Sequence, residues 1–294
     1  MQEWSLLNIL YDNKLYKSID EFRAASRSPG FKKLVKQVDG QWTRTSQTGT
    51  APPLDIRSPP IQIQPDGQRF AVDKDAKYVE WMDFAFYIGF NRDTGVNLYD
   101  IKYKGKRIIY ELGLQEAIAH YAGNDPTQSG TAYLDSYYGF GPYVFELVPG
   151  YDCPAYSTFL DTSVHENGNT TTNRNSICLF EHDAGYPLQR HTAYPYISVT
   201  RNTIFTLRFV STIGNYDYNF DYNFYLDGSI EIKVRASGYI QSAFYAHNED
   251  YGYQIHDATS GSMHDHVLNF KADLDILGTK NTFEKLGVVP TTTE

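Results

Sequence analysis

The sequence predicts a mainly β protein, an antiparallel sandwich with a small mixed α/β segment ahead of it. Three observations carry that prediction. The chain holds 25 Tyr and 17 Phe among 294 residues, and aromatic side chains suit a pleated, half-buried surface. Short runs of alternating apolar and polar residues recur, divided by Gly, Pro and Asp turns. Hydrophobic residues make up 41% and charged residues 21%, which is enough apolar content for a core.

Taken in order, Ser18-Ile19-Asp20-Glu21 fits a capping box, and Glu21 to Ser26 reads as a short helix stopped by Pro29-Gly30. Gln41 to Pro53, rich in Thr, Gly and Pro, reads as a linker. Ile61-Gln62-Ile63-Gln64 alternates like a strand before the turn at Pro65-Asp66-Gly67. From Tyr78 onward strands dominate. Tyr99 to Tyr103 and Arg107 to Tyr110 flank Lys104-Gly105-Lys106 as a hairpin, and Leu114 to Tyr121 is the best helix candidate. Phe220 to Leu226 leads through Asp227-Gly228 into alternating Ile230, Ile232 and Val234, the clearest hairpin of the chain.

A net charge of −9 without any Lys/Arg block argues against nucleic acid or an anionic membrane as partner. There is no apolar run of membrane-spanning length, and Met1-Gln2-Glu3-Trp4 does not open a signal peptide. Cys153 and Cys178, 25 positions apart, would close a loop worth roughly 3 kcal/mol as a disulfide, or stand as two buried thiols. Asn169-Thr170-Thr171 fits an N-glycosylation sequon in a polar stretch, His165 to Asn175, that reads as an exposed loop. Together these features lean towards an oxidising compartment and leave the localisation open.

Three short segments have chemical potential. In His264-Asp265-His266 a strand would turn both imidazoles to one face, as copper or zinc requires. Asn215-Tyr216-Asp217 has no general meaning in a chain this rich in Tyr. Asp135, after Tyr133-Leu134, suits a general base whose pKa rises in apolar surroundings, or a plain turn cap.

In combination and order these segments resemble the copper-containing amine oxidase family. Thr212-Ile213-Gly214-Asn215-Tyr216-Asp217 matches the Thr-x-x-Asn-Tyr-Asp/Glu motif whose tyrosine becomes topaquinone. His264 follows Tyr216 by 48 residues and Asp135 precedes it by 81, the family's order for its His-x-His copper pair and catalytic aspartate. The resemblance implies that Tyr133 is the gate of the substrate channel, Tyr121 the tyrosine that hydrogen-bonds the quinone, and Asn215 a cofactor-positioning residue. The stretch after Tyr121, Ala122-Gly123-Asn124-Asp125-Pro126, departs from the family's usual sequence. The resemblance also implies a Cys153–Cys178 disulfide, and a peripheral calcium held by Asp273, the Leu274 carbonyl and Asp275.

The implied reaction is the oxidative deamination of a primary amine, RCH2NH2, with O2 and water to an aldehyde, ammonia and hydrogen peroxide. It runs through a Schiff base to the quinone, with Asp135 removing the α-proton. Burial among Tyr133, Tyr137 and Tyr138 would raise the Asp135 pKa. Residues 1–50 would be the end of an amino-terminal α/β domain with its linker. Residues 51–294 would be a partial catalytic sandwich of a protein that works as a homodimer. The family's third copper histidine lies far beyond the pair, and the 28 residues after His266 contain no His. The expectation is a piece of a longer protein, weakly active or inactive alone. Two alternatives stand beside it, a non-catalytic relative of the same fold and an unrelated carbohydrate-binding sandwich.

Overall fold

The computed structural model describes residues 5–12, 14–34, 39–46, 48–122, 128, 130–245, 253–257, 259–261 and 263–292. Gly123 to Thr127, part of the segment quoted after Tyr121, lies outside the described residues. The chain forms two compact units. The smaller comprises Met1–Ser58, Ala119–Tyr133 and Ile240–His266; the larger comprises Pro59–Ile118, Leu134–Tyr239 and Val267–Glu294.

The smaller unit begins with a hairpin of β1 (Ile9–Tyr11) and β2 (Lys14–Tyr16), followed by α1 (Ile19–Ser26). Ser18 caps α1 by accepting from the Glu21 backbone N–H at 3.2 Å, as expected. Glu21 returns its carboxylate to the Lys17 N–H instead of the Ser18 N–H, so the reciprocal half of the box is displaced by one residue.

The larger unit is a sandwich of two antiparallel sheets. One contains β3 (Phe70–Asp73), β4 (Tyr78–Trp81), β5 (Phe84–Asn91), β6 (Gly95–Tyr103) and β7 (Lys106–Tyr121), which also pairs β8 (Ala132–Leu134). A helical turn, α2 (Asp135–Tyr138), follows β8. The other sheet runs β9 (Thr158–Glu166), β10 (Asn169–Ala193), β11 (Tyr196–Ile213), β12 (Tyr216–Tyr225) and β13 (Ile230–Gly238) as a meander. Three short strands in the smaller unit, β14 (Ser242–Phe244), β15 (Tyr253–His256) and β16 (Thr259–Gly261), precede β17 (His264–Leu274), which pairs with β7.

The sandwich core is aromatic. Phe86 of β5 stacks on Phe224 of β12 at 4.6 Å, and Phe84 and Trp81 pack on Phe224 and Phe205. On β12 every second residue, Tyr218, Phe220, Tyr222 and Phe224, is fully buried in that core.

Several sequence expectations are corrected. Leu114 to Tyr121 is strand, not helix: Ala117, Ala119 and Tyr121 are buried alternately, and β pairing overrides the helix propensity of Leu, Gln, Glu and Ala. Ile61-Gln62-Ile63-Gln64 belongs to no strand; Ile61 and Ile63 are exposed, with no partner strand among the described residues to bury one face. His165 to Asn175 is not a loop but the exposed end of the β9–β10 hairpin. Asn167 and Gly168 both take positive φ in its two-residue turn. The Tyr99–Tyr110 and Phe220–Val234 hairpins form as expected, and Cys153 is bonded to Cys178.

Candidate active site

The Tyr216 motif is itself a tight hairpin. β11 ends at Ile213, Gly214-Asn215 makes the turn, and β12 begins at Tyr216 with Ile213 opposite. Gly214 has φ +58, the left-handed backbone that two-residue hairpin turns demand. One pair further in, the Thr212 hydroxyl donates to the Asp217 carboxylate at 2.5 Å across the strands. Thus the fixed Thr and Asp of the motif lock the turn from outside. Asn215 is exposed, and its carbonyl accepts from the Tyr239 N–H at 3.0 Å. Gly238, opposite Tyr216 on β13, lies against this turn: a Cβ there would sit 2.0 Å from the Asn215 carbonyl oxygen.

Tyr216 is half-buried on the same face of β12 as Tyr218, with ring centroids 6.4 Å apart. The Tyr218 hydroxyl donates to Asp135 Oδ2 at 2.9 Å. Tyr218 therefore ties the aspartate to the strand that carries Tyr216. Asp135 opens α2 and is only 4% exposed. Burial raises its pKa, the Tyr218 hydrogen bond opposes that rise, and the Glu116 carboxylate adds to it. The expectation that Tyr137 and Tyr138 enclose Asp135 is corrected: they are 79% and 47% exposed, because α2 is a single turn on the surface with only its first residue facing inward.

In the smaller unit four predicted residues cluster. Buried Tyr121, at the end of β7, stacks on His264 at 4.5 Å and meets Tyr133 edge-on at 5.6 Å. The His264 and His266 rings, on one face of β17, have centroids 4.8 Å apart. Burial lowers the His266 pKa and the neighbouring His264 lowers it further, against a weaker opposing pull from Asp265. A neutral imidazole is the form that binds a metal, so this donor pair fits copper. Among the described residues no third His, Cys, Asp or Glu completes a metal cluster.

The peripheral segment keeps its three oxygen donors, two of them with partners inside the chain. Asp275 is ion-paired to Arg107 at 2.7 Å, and the Leu274 carbonyl accepts from Asn281 at 2.6 Å. Each keeps a free acceptor, the second carboxylate oxygen of Asp275 and the second lone pair of the Leu274 carbonyl, beside half-buried Asp273. Asn169 is exposed at the β9–β10 turn.

Comparison with known proteins places this arrangement. The family model "Copper amine oxidase, enzyme domain" matches residues 71–294. The chain belongs to the copper amine oxidase family. A second model, a domain of unknown function (DUF1965), matches residues 1–50. The copper amine oxidase vicK1 of Bipolaris victoriae is 50% identical over 99% of this chain and 41% of its own length. Copper-containing amine oxidase 3 of Rattus norvegicus is 35% identical over 98% of this chain and 38% of its own. The crystal structure of Aspergillus nidulans amine oxidase superposes with a TM-score of 0.90 at 63% identity, covering 94% of this chain and 37% of that one. The Pichia pastoris lysyl oxidase structure gives 0.89 at 46%, covering 95% and 39%. The chain thus spans about two fifths of the length of these relatives. Family membership removes the carbohydrate-binding alternative.

Tyr218 and Glu116 are the functional candidates that sequence reasoning missed. The signal for Tyr218 was present, since residues i and i+2 of a strand share a face. Reading Leu114 to Tyr121 as helix hid Glu116.

Proposed function

We propose that this chain carries the quinone-forming tyrosine, the proton-abstracting aspartate and two copper-binding histidines of a primary-amine oxidase. The reaction is RCH2NH2 + O2 + H2O → RCHO + NH3 + H2O2. The observation that supports it best is the Tyr216–Tyr218–Asp135 chain of contacts inside a family whose motif Tyr216 matches. When bound, copper with O2 supplies the oxidation of the Tyr216 ring to topaquinone, the electron acceptor that no ordinary side chain provides.

Within this reading the chain's own residues do the following. Asp135 takes the proton from the substrate α-carbon onto its carboxylate; burial gives it a proton affinity above that of an ordinary aspartate. The Tyr218 hydroxyl orients that carboxylate through Oδ2. The Gly214-Asn215 turn, locked by Thr212 and Asp217, fixes where the Tyr216 ring begins. His264 and His266 offer two imidazole nitrogens, with Tyr121 stacked on His264 to hold its ring plane. Tyr133 would line the substrate's approach, and Tyr121 would face the quinone.

Two imidazoles alone bind copper weakly and leave its geometry open, so low activity is expected of residues 1–294 by themselves. The homodimer and the division of the chain near residue 50 belong to the same reading. The first is supported by exposed Tyr186, Tyr194, Tyr196 and Ile197 at the end of the β10–β11 hairpin. The second is supported by the limit of the matching model.

The test is amine-dependent hydrogen peroxide release by the copper-loaded protein, with Tyr216→Phe as the decisive variant. It should lose both the quinone chromophore and all turnover. Amine oxidation surviving in Tyr216→Phe would overturn the assignment.

A further inference from the structure

Glu116 lies on β7, five residues before Tyr121, and is half-buried. Its carboxylate accepts three hydrogen bonds. The Ser136 hydroxyl donates at 2.6 Å and the Ser136 N–H at 3.3 Å, while the Ala117 N–H donates at 2.8 Å. Ser136 directly follows Asp135 in α2. The other end of this turn is held by the Gly139 N–H, which donates to the Asp135 carbonyl at 3.1 Å, with Gly139 at φ +91.

We infer that Glu116 is a positioning residue of the amine oxidase site, fixing Asp135 through Ser136 and setting a second carboxylate beside it. The inference rests on the role proposed for Asp135. A four-residue helical turn has almost no intrinsic stability, so the direction of its first side chain depends on outside anchors. Two are present. Tyr218 grips the Asp135 carboxylate from β12, and Glu116 grips the backbone and hydroxyl of the next residue from β7. They act oppositely on charge. The Tyr218 hydroxyl stabilises the ionised carboxylate, whereas the Glu116 carboxylate disfavours it. A base must keep enough proton affinity to accept a carbon-bound proton, and a neighbouring carboxylate supplies that at no cost in orientation. Glu116 also lines an open cleft of about 1010 Å³ with Ser136, Tyr137 and Tyr138, so water reaches its outer side.

Charge and anchoring can be separated by substitution. Glu116→Gln keeps the shape and one acceptor oxygen, enough for the Ala117 and Ser136 N–H groups, and lets the Ser136 hydroxyl accept from the new amide, but removes the charge. Ser136→Ala keeps the charge but removes the hydroxyl anchor. Titration of the Asp135 carboxyl carbon by 13C NMR on residues 1–294, with the signal assigned by its loss in Asp135→Asn, reads the charge directly and needs neither copper nor quinone. Glu116→Gln should move the Asp135 midpoint to lower pH, and Ser136→Ala should leave it in place. An unmoved midpoint in folded Glu116→Gln overturns the inference. Should Glu116→Gln fail to fold, Ser136→Ala carries the test in the active oxidase, with kcat expected to fall roughly tenfold at unchanged KM; unchanged kcat overturns it. Full turnover in Asp135→Asn would instead sink the oxidase role of Asp135 while leaving the titration coupling intact, so the two failures are distinguishable.

Discussion

Two aspartates of the larger unit are almost equally hidden from water, and their chemistry is opposite. Asp135 is 4% exposed and Asp221 2%. Burial raises the pKa of both, but the rest of their surroundings differ. Asp221 sits on the outward face of β12, gripped at both oxygens by Arg208 at 2.6 and 2.9 Å and by Arg235 at 2.6 Å. Those two guanidiniums more than offset burial and hold its pKa below the usual carboxylate range. Arg208 in turn donates to the Asp152 carbonyl, next to the Cys153–Cys178 bridge. Asp135 has a phenol and a second carboxylate for neighbours, and no cation among the groups acting on it. Burial alone does not make a base. The sign of the nearest charge decides whether a hidden carboxylate becomes a strut or an acceptor of protons.

The largest effect that sharpens this contrast is kinetic. Asp135→Asn should keep the quinone and lower turnover by about a thousandfold, measured as peroxide release per hydrazine-reactive site. Asp221→Ala should act on stability instead, costing about 3–5 kcal/mol in urea unfolding because Arg208 is left buried without its counter-ion. Turnover per folded molecule should be little changed. If Asp221→Ala removed activity without destabilising the protein, the division of labour would be wrong.

How much of this was legible beforehand follows from range. The Tyr216 hairpin is local: Thr212, Gly214, Asn215 and Asp217 all act within six residues of chain, so a motif captures it. The mainly β reading rests on alternation that the strands keep, as at Ile230, Ile232 and Val234. The family resemblance pointed to Asp135, but not to its surroundings. Tyr218 reaches Asp135 from 83 residues away in sequence and Glu116 reaches Ser136 from 20, and no local pattern reports such a meeting. The same blindness to distant partners made Leu114–Tyr121 look helical and hid the ion pair of Asp275 with Arg107 of β7.

A smaller effect tests the hairpin that carries Tyr216. Gly238→Ala would drive a methyl group into the Asn215 carbonyl and force a side chain onto a φ of +146. A loss on the order of 2 kcal/mol and reduced hydrazine labelling of Tyr216 are expected. Labelling and stability equal to wild type would show that the turn does not depend on this contact.

The smallest effect is in the pH dependence of stability, where the two aspartates should pull in opposite directions. The Asp221 contribution is present above its unfolded pKa of 3.8 and is lost as pH falls through its lower folded value. The Asp135 contribution is present below 3.8 and is lost as pH rises through its raised folded value. Asp135→Asn should therefore gain stability relative to wild type at neutral pH and lose that gain in acid, as read by urea midpoints across the range. A pH-independent difference would contradict the raised proton affinity of Asp135.

The central claim is that Tyr216 becomes the cofactor, and one measurement addresses it most directly. The protein is expressed with copper and air as residues 1–294 and, where the gene continues, as its longer product. It is then treated with phenylhydrazine and mapped by peptide mass. The account predicts a phenylhydrazone adduct on residue 216, absent from Tyr216→Phe and stronger in any product that supplies a third copper ligand. A copper-loaded longer product whose residue 216 remains an unmodified tyrosine would contradict it.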